Sequence, residues 1–353
     1  MGLFRSKSDE SIPIRAATGY GRVPGSVSVY SSGVGSARAL SIPTVARAVG
    51  LITSTIAGLE LRTYSLNWDP ELEEYSRIYQ PNESWMERPT PNTTRQFVIA
   101  STVRELMFYG RSYWYTTGRY RTGYPSSFQW LPYGSISTPD QSGPEWFGPS
   151  SDILFNGQEI DPANVVQFLS PIPGMLDYGQ RAIDIAIALD NAAKRFSTVD
   201  IPAGYLQVKP GGEALSPSEL EEIASGWAAA RRENSVGILN ELLEYHSSNV
   251  DPSTLQLAEA RNHAALELAR VMQVPPWLVG LAVGGMTYDN SQSSRKDLYL
   301  FGAKPFVDAI EQTLSGPDVL PRGRYVELDV VRYIYEAELP APVPVEPTIG
   351  VNP

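Results

Sequence analysis

The segment from 180 to 196 makes the sharpest demand on any fold this chain can adopt. Ile183, Ile185, Ile187, Leu189, Ala192 and Phe196 spread apolar character around most of a helix, and Arg181, Asp184, Asn191 and Arg195 leave only a narrow polar stripe. Such a helix needs neighbours on several sides. A small monomer has few to offer, whereas adjacent copies of the same chain can supply them.

The remainder reads as a punctuated α+β chain. Its 353 residues exceed what one core usually organises, so two or more substructures are expected. Pro43 in a first turn, Val45, Val49, Ile52 and Ile56 at helical spacing, and Gly58 as a stop predict a helix over 43–58, with a strand at 60–64 after it. A second helix, 94–109, has Asn92 or Thr93 as its cap, Gly110 as its end, and Phe97, Ala100, Val103 and Met107 on one face. Strands are expected at 112–117, 127–132, 153–155 and 165–169.

Residues 200–252 form a distinct insert. It has a strand at 204–209, the capping box Ser216-Pro217-Ser218-Glu219 opening a helix to 232, and a strand pair at 236–239 and 242–245. The next helix starts at Asp251-Pro252 and ends before Val274-Pro275-Pro276. Gln256, Glu259, His263, Glu267 and Arg270 share its polar face, with Ala258, Ala265, Leu268 and Met272 opposite. A Gly-rich loop, Gly284-Gly285-Met286-Thr287-Tyr288-Asp289-Asn290, leads to a last helix ending near Leu314, which Pro305 should kink. Residues 324–334 alternate like a strand, and 340–353 are Pro-rich and extended.

Several functions are excluded or disfavoured. With no cysteine there is no disulfide, thiolate nucleophile or cysteine zinc site, and two histidines leave little for a His-based triad or metal centre. There is no P-loop, no Gly-x-Ser-x-Gly elbow and no His-Glu-x-x-His, so no cofactor or catalytic group is expected. The column Glu259, His263, Glu267 could be a metal or relay face, but a solvated helix face is the simpler account. The net charge is −11 and the densest basic stretch, 111–121, is broken by aromatics, so any contact with DNA should be a loose one. No apolar run is long enough to span a membrane. Tyr113, Trp114, Tyr115, Tyr120 and Tyr124 cluster. They suit a sheet core or an interface, and the alternative is a glycan-binding protein or glycoside-active enzyme.

Two stretches resemble the portal (head–tail connector) proteins of long-tailed bacteriophages. The first runs Ala39-Leu40-Ser41-Ile42-Pro43-Thr44-Val45-Ala46-Arg47-Ala48-Val49 and on through Ile56 to Leu61. The second runs Leu266-Glu267-Leu268-Ala269-Arg270-Val271-Met272-Gln273-Val274-Pro275-Pro276-Trp277-Leu278-Val279-Gly280, followed by Thr287-Tyr288-Asp289-Asn290 and Lys304-Pro305-Phe306. The order of amphipathic helix, Val-Pro-Pro turn, small-residue loop and Pro-kinked helix carries the likeness, which spans 39–335.

That resemblance implies a map. Residues 1–38 would be an N-terminal arm and 39–177 the first part of the wing. Residues 178–199 and 253–280 would be stem helices around a clip at 200–252. The tunnel loop would be 281–290, with Gly284, Gly285, Met286, Thr287, Tyr288, Asp289 and Asn290 at the DNA channel. Residues 291–339 would be the kinked helix and return to the wing, and 340–353 a Pro-rich tail, with the crown reduced or absent. Met286 and Tyr288 are candidates for the constriction, or one of them anchors the loop in the wing. The implied function is structural, not enzymatic: a homo-oligomeric ring, typically a dodecamer, at one capsid vertex of the virion, assembled in the host cytoplasm. Double-stranded DNA would pass without sequence specificity, and the partners would be terminase, a head-completion or adaptor protein and the major capsid protein.

Overall fold

A computed structural model describes residues 34–71, 73–141, 148–198, 204–208, 216–232, 243–247, 256–281 and 291–335. The chain divides into two compact units, one made of Met1–Gln180 with Leu268–Pro353 and the other of Arg181–Glu267.

In the larger unit, α1 (Val34–Leu40) leads into α2 (Pro43–Gly58). The expected stripe is buried in α2: Val45, Val49, Ile52 and Ile56, with Ala48 and Ala57. Gly58 is the last helical residue, and the chain leaves through Leu59 in extended backbone, so no left-handed glycine ends this helix. Strands β1 (Leu61–Asp69) and β2 (Glu74–Gln80) form a hairpin, longer than the strand expected at 60–64. After the short α3 (Ser84–Glu87) comes α4 (Arg95–Tyr109), capped by Thr94, whose hydroxyl accepts the Phe97 N–H at 3.2 Å. Thr94 thus takes the role expected of Asn92 or Thr93. Gly110 ends α4 in the left-handed region at φ 74°, as its position suggested.

The expected face of α4 is only partly right. Phe97 is 52% exposed, while Val98, Ile99, Thr102, Leu106 and Phe108 are buried together with Val103 and Met107. The helix packs on α2 and also on the strand that follows it, so most of its circumference is enclosed. The strands and helix that follow are β3 (Arg111–Arg119), β4 (Pro125–Leu131), β5 (Ile136–Ser137), β6 (Ile153–Phe155), β7 (Gln158–Ile160), β8 (Val165–Leu169) and α5 (Met175–Tyr178), with short 3-10 turns between some of them. The sheets are antiparallel, ordered β4-β3-β8 and β5-β6-β7. Tyr113 and Trp114 are fully enclosed, with the Trp114 ring 5.5 Å from Phe128 and 4.8 Å from Phe168. The core of the aromatic cluster is therefore sheet interior.

The second unit holds α6 from Arg181 on (Gln180–Thr198), β9 (Gly204–Val208), α7 (Pro217–Arg232), β10 (Leu243–Ser247) and most of α8 (Leu257–Val271). The capping box is formed: the Ser216 N–H bonds Glu219 at 2.8 Å, and the Glu219 N–H reaches the Ser216 hydroxyl at 3.4 Å. Strand β10 pairs antiparallel with β9, and the strand expected at 236–239 lies outside the described residues. Helix α8 begins at Leu257, six residues after the expected Asp251, and 251–255 likewise lie outside the described residues.

Back in the larger unit, α9 (Ser291–Asp297) continues through a π-helical turn, Leu298–Ala303, into α10 (Lys304–Leu314). The expected break at Pro305 takes this form. The Lys304 N–H reaches back to Tyr299 O, and the wider turn makes room for a ring that would otherwise strike the carbonyl four residues earlier. Strand β11 (Arg324–Leu328) pairs with β1, giving the order β11-β1-β2. The alternation expected to run to Ile334 stops there, because the Asp329 carboxylate accepts the Arg332 N–H at 3.2 Å and caps α11 (Val330–Tyr335).

Two internal constraints stand out. A Cβ on Gly174 would lie 2.6 Å from Tyr109 Cα, so Gly174→Ala must push backbone apart. It should cost about 1–3 kcal/mol in urea unfolding, whereas Gly302→Ala, whose Cβ would meet nothing closer than 3.4 Å, should be tolerated. The second is Glu105, 5% exposed in α4. It accepts bonds from the Ser112 hydroxyl (2.6 Å), Trp130 Nε1 (3.0 Å) and the Tyr133 N–H (2.7 Å), tying the helix to β3, β4 and the turn beyond. Burial pushes its carboxyl up to about 7, against the lowering effect of those donors. The folded state thus holds this proton more tightly than the unfolded one, so its contribution to stability is present below the ordinary carboxylate range and is lost as pH rises through about 7. Stability should fall by roughly 3 kcal/mol at most between pH 4 and 8 from this group alone. The Glu105→Gln protein should show a flatter profile in urea titrations, and parallel profiles would contradict the assignment.

Candidate functional site

Residues 282–290, including the expected channel residues Gly284 to Asn290, lie outside the described residues. What is described is how their two flanks are held. Before them, α8 closes on Gln273 at φ 55°. The Gln273 N–H returns to Arg270 O and the Val274 N–H to Ala269 O, the paired bonds of a left-handed helix cap, with Pro275 preventing any continuation. Pro276–Val279 then form a 3-10 turn ended by Gly280 at φ 84°. This turn sits on α2, where Arg47 Nε donates to Leu278 O at 3.3 Å.

After residues 282–290, the π-helical turn also packs on α2. At Gly302 an added Cβ would stand 3.5 Å from Ile52 Cδ1 and 3.4 Å from Gln273 O. Both flanks of the segment are therefore fixed to one helix, and the Val-Pro-Pro turn and the Pro305 helix touch through Gln273 and Gly302. Tyr178 adds a clamp, its hydroxyl donating to Val271 O at 2.8 Å.

The polar column of α8 is partly as expected. Gln256, Glu259, His263 and Arg270 are exposed and Glu267 is half-buried, while Leu268 and Met272 opposite are buried. Ala258, assigned to the apolar side, is exposed. The ion pair on this helix uses a residue outside the column: Arg261 binds Asp190 of α6 at 2.9 Å. Across the described residues no three acidic or histidine groups are placed to hold a metal ion. No described helix is long and apolar enough to cross a membrane.

A cavity of about 510 Å³ on the larger unit was not foreseen from the sequence. It is lined by Arg62, Tyr64, Arg77, Tyr79, Tyr299 and Glu311 among others. Arg62 pairs with Asp329 and Arg77 with Glu327, and the Arg77 guanidinium lies 4.8 Å from the Tyr64 ring. Burial raises the Glu311 carboxyl above its ordinary range, although it accepts the Leu328 N–H at 2.7 Å. Each lining arginine of the sheet already faces a carboxylate, so the cavity is a structural ion-pair network joining β1, β2 and β11. Its members lie far apart in sequence, and no local spacing announces them. The basic stretch at 111–121 likewise forms no phosphate grip: Arg111 is buried, and Arg119 bonds Gly123 O, Ala163 O and Asn164 Oδ1.

Comparison with known proteins bears on this geometry. The family described as phage portal protein matches residues 43–336. An uncharacterized protein of Rickettsia bellii is 23% identical over 262 residues, covering 67% of this chain and 64% of that protein. The probable portal protein of Streptomyces phage phiC31 is 24% identical over 194 residues, covering 52% and 40%. The chain thus spans less than two thirds of the length of these curated relatives. Among solved structures, an HK97-family phage portal protein from Corynebacterium diphtheriae superimposes with a TM-score of 0.67 at 26% identity, covering 87% of this chain and 98% of that one. A chain from the neck of a gene transfer agent particle has the same fold, with a TM-score of 0.61 at 19% identity over 91% and 89%. With its α2, Val-Pro-Pro turn and interrupted helix all inside the matched span, this chain belongs to the phage portal protein family.

Proposed function

We propose that the chain is one subunit of a closed ring at a single capsid vertex, through which double-stranded DNA is packaged and later leaves. The observation that carries this reading is the anchoring of both flanks of residues 282–290 on α2. A loop that must stay in a channel while a duplex moves past it needs that kind of fixed base. The family match supports the ring, as does a related fold in a gene transfer agent neck computed with C12 symmetry. Twelve copies is therefore the expected number.

On this reading, 39–177 and 291–339 supply the wing, 178–199 and 253–280 the stem, 200–252 the clip and 281–290 the tunnel loop. The separate compactness of Arg181–Glu267 supports grouping the clip with the stem portions 181–199 and 253–267, while 268–280 belong to the larger unit. Exposed Ile185 on α6 suits a stem whose remaining neighbours are other subunits. The net charge of −11 suits a conduit, because tight multi-phosphate contacts would stall DNA. The role is structural rather than enzymatic. The clip would present the ring to terminase and then to a head-completion protein, and the wing would face the major capsid protein. Such a subunit assembles in the host cytoplasm and ends in the virion. The enclosure of Tyr113 and Trp114 removes the central part of the aromatic surface that a glycan-binding reading needs.

Replacing Gly284 through Tyr288 with a short rigid turn should leave rings intact in electron micrographs. DNA packaged per particle should fall at least about tenfold, the loss that about 1.4 kcal/mol represents. Normal packaging by that variant would contradict the role of the segment.

A further inference from the structure

The β1–β2 hairpin is unfinished as a monomer surface. Of the thirteen large apolar side chains exposed among the described residues, five are on it: Leu66, Trp68, Tyr75, Ile78 and Tyr79. The pairings Trp68↔Tyr75, Leu66↔Arg77 and Tyr64↔Tyr79 put Leu66, Trp68, Tyr75 and Tyr79 on one face, where the Trp68 and Tyr75 rings meet edge-on at 5.0 Å. Among the named strands β2 pairs with β1 alone, so its outer edge is open. That edge is lightly protected: β2 contains no Lys or Pro, its only charges are Glu74 and Arg77, and its register runs regularly over seven pairs. A sheet edge and aromatic face left in this state are built to be covered.

Charge indicates by what. The turn of this hairpin carries Asp69, Glu71, Glu73 and Glu74, and no Lys or Arg occurs from Thr63 to Ser76. Glu71, Glu73 and Glu74 join no ion pair among the described residues. The β3–β4 hairpin is its inverse. No Asp or Glu occurs from Arg111 to Thr138, and its turn presents Arg119 and Arg121 beside Tyr120 and Tyr124. Arg119 bonds neutral oxygens, and Arg121 is exposed. One chain thus carries an acidic aromatic hairpin and a basic aromatic hairpin. A heterologous ring contact requires just such a pair of different, complementary surfaces on each subunit.

We propose that the β1–β2 hairpin of one subunit docks on the β3–β4 turn of the next and helps close the ring. The inference rests on the ring reading above and adds to it the surfaces that meet. Trp68 and Tyr75 supply the apolar centre of the contact, and the opposed charges set partner and register.

Charge exchange in the full chain tests this, with closed rings counted by light scattering and electron microscopy at about 0.15 M salt. Glu73 stays unchanged because its backbone sits at φ 52°. Glu71→Arg with Glu74→Arg should keep the unfolding midpoint but raise the concentration needed for rings about tenfold or more, and Arg121→Glu should act the same way. Combining all three changes restores opposite charges and should recover most of the loss. Trp68→Ser should weaken rings without rescue by charge. Rings of the Glu71→Arg/Glu74→Arg protein at wild-type concentrations, or a triple variant no better than the one-sided variants, would overturn the proposal. A wild-type chain that forms no ring at all would instead remove the reading on which it rests.

Discussion

The burial of α2 is the interaction on which the larger unit depends. Ile52 and Ile56 are fully enclosed, and the helix they belong to is touched by α1, α4, the 3-10 turn after the two prolines and the π-helical turn before α10. Residues near 50 are thereby joined to residues near 278 and 302. Such an enclosed helix tolerates little displacement, since protein interiors are close-packed and a lost methylene is felt. The described residues on either side of 282–290 are thereby both held on this one helix.

The polar interior is built on the same economy of elements. Glu105 is a single carboxylate satisfied by three donors from three successive pieces of chain. Arg62, Arg77, Glu327 and Asp329 do similar work where β11 returns to β1. Glu105 is buried, as are the Glu327 and Asp329 carboxylates for the most part, while Arg62 and Arg77 reach them from the surface, so desolvation offsets part of the attraction.

Much of the fold was legible in the sequence where local chemistry decides. The helix at 43–58, the Ser216–Glu219 capping box, the stop at Gly110 and the break at Pro305 follow from capping, glycine and proline, which act within one turn. Features set by tertiary contact were not legible. The face of α4 read from spacing included Phe97, which is exposed, because α4 is enclosed by both α2 and β3. The end of β11 escaped notice because Asp329 acts both as a helix cap and as the partner of Arg62, and alternation alone cannot show that. Glu105 gave no signal, since a glutamate in a helix is ordinarily a surface residue. The polar column of α8 was readable as a face, but its ion pair to Asp190 comes from Arg261. The expected channel residues Gly284 to Asn290 rest on sequence and family likeness alone.

The central claim is that this chain works as a ring. Negative-stain electron microscopy of the purified protein, with mass from light scattering over a range of concentrations, tests it most directly. The account predicts closed rings of uniform size with a central hole wide enough for duplex DNA. Compact particles of one or two copies without a hole at every concentration would contradict it.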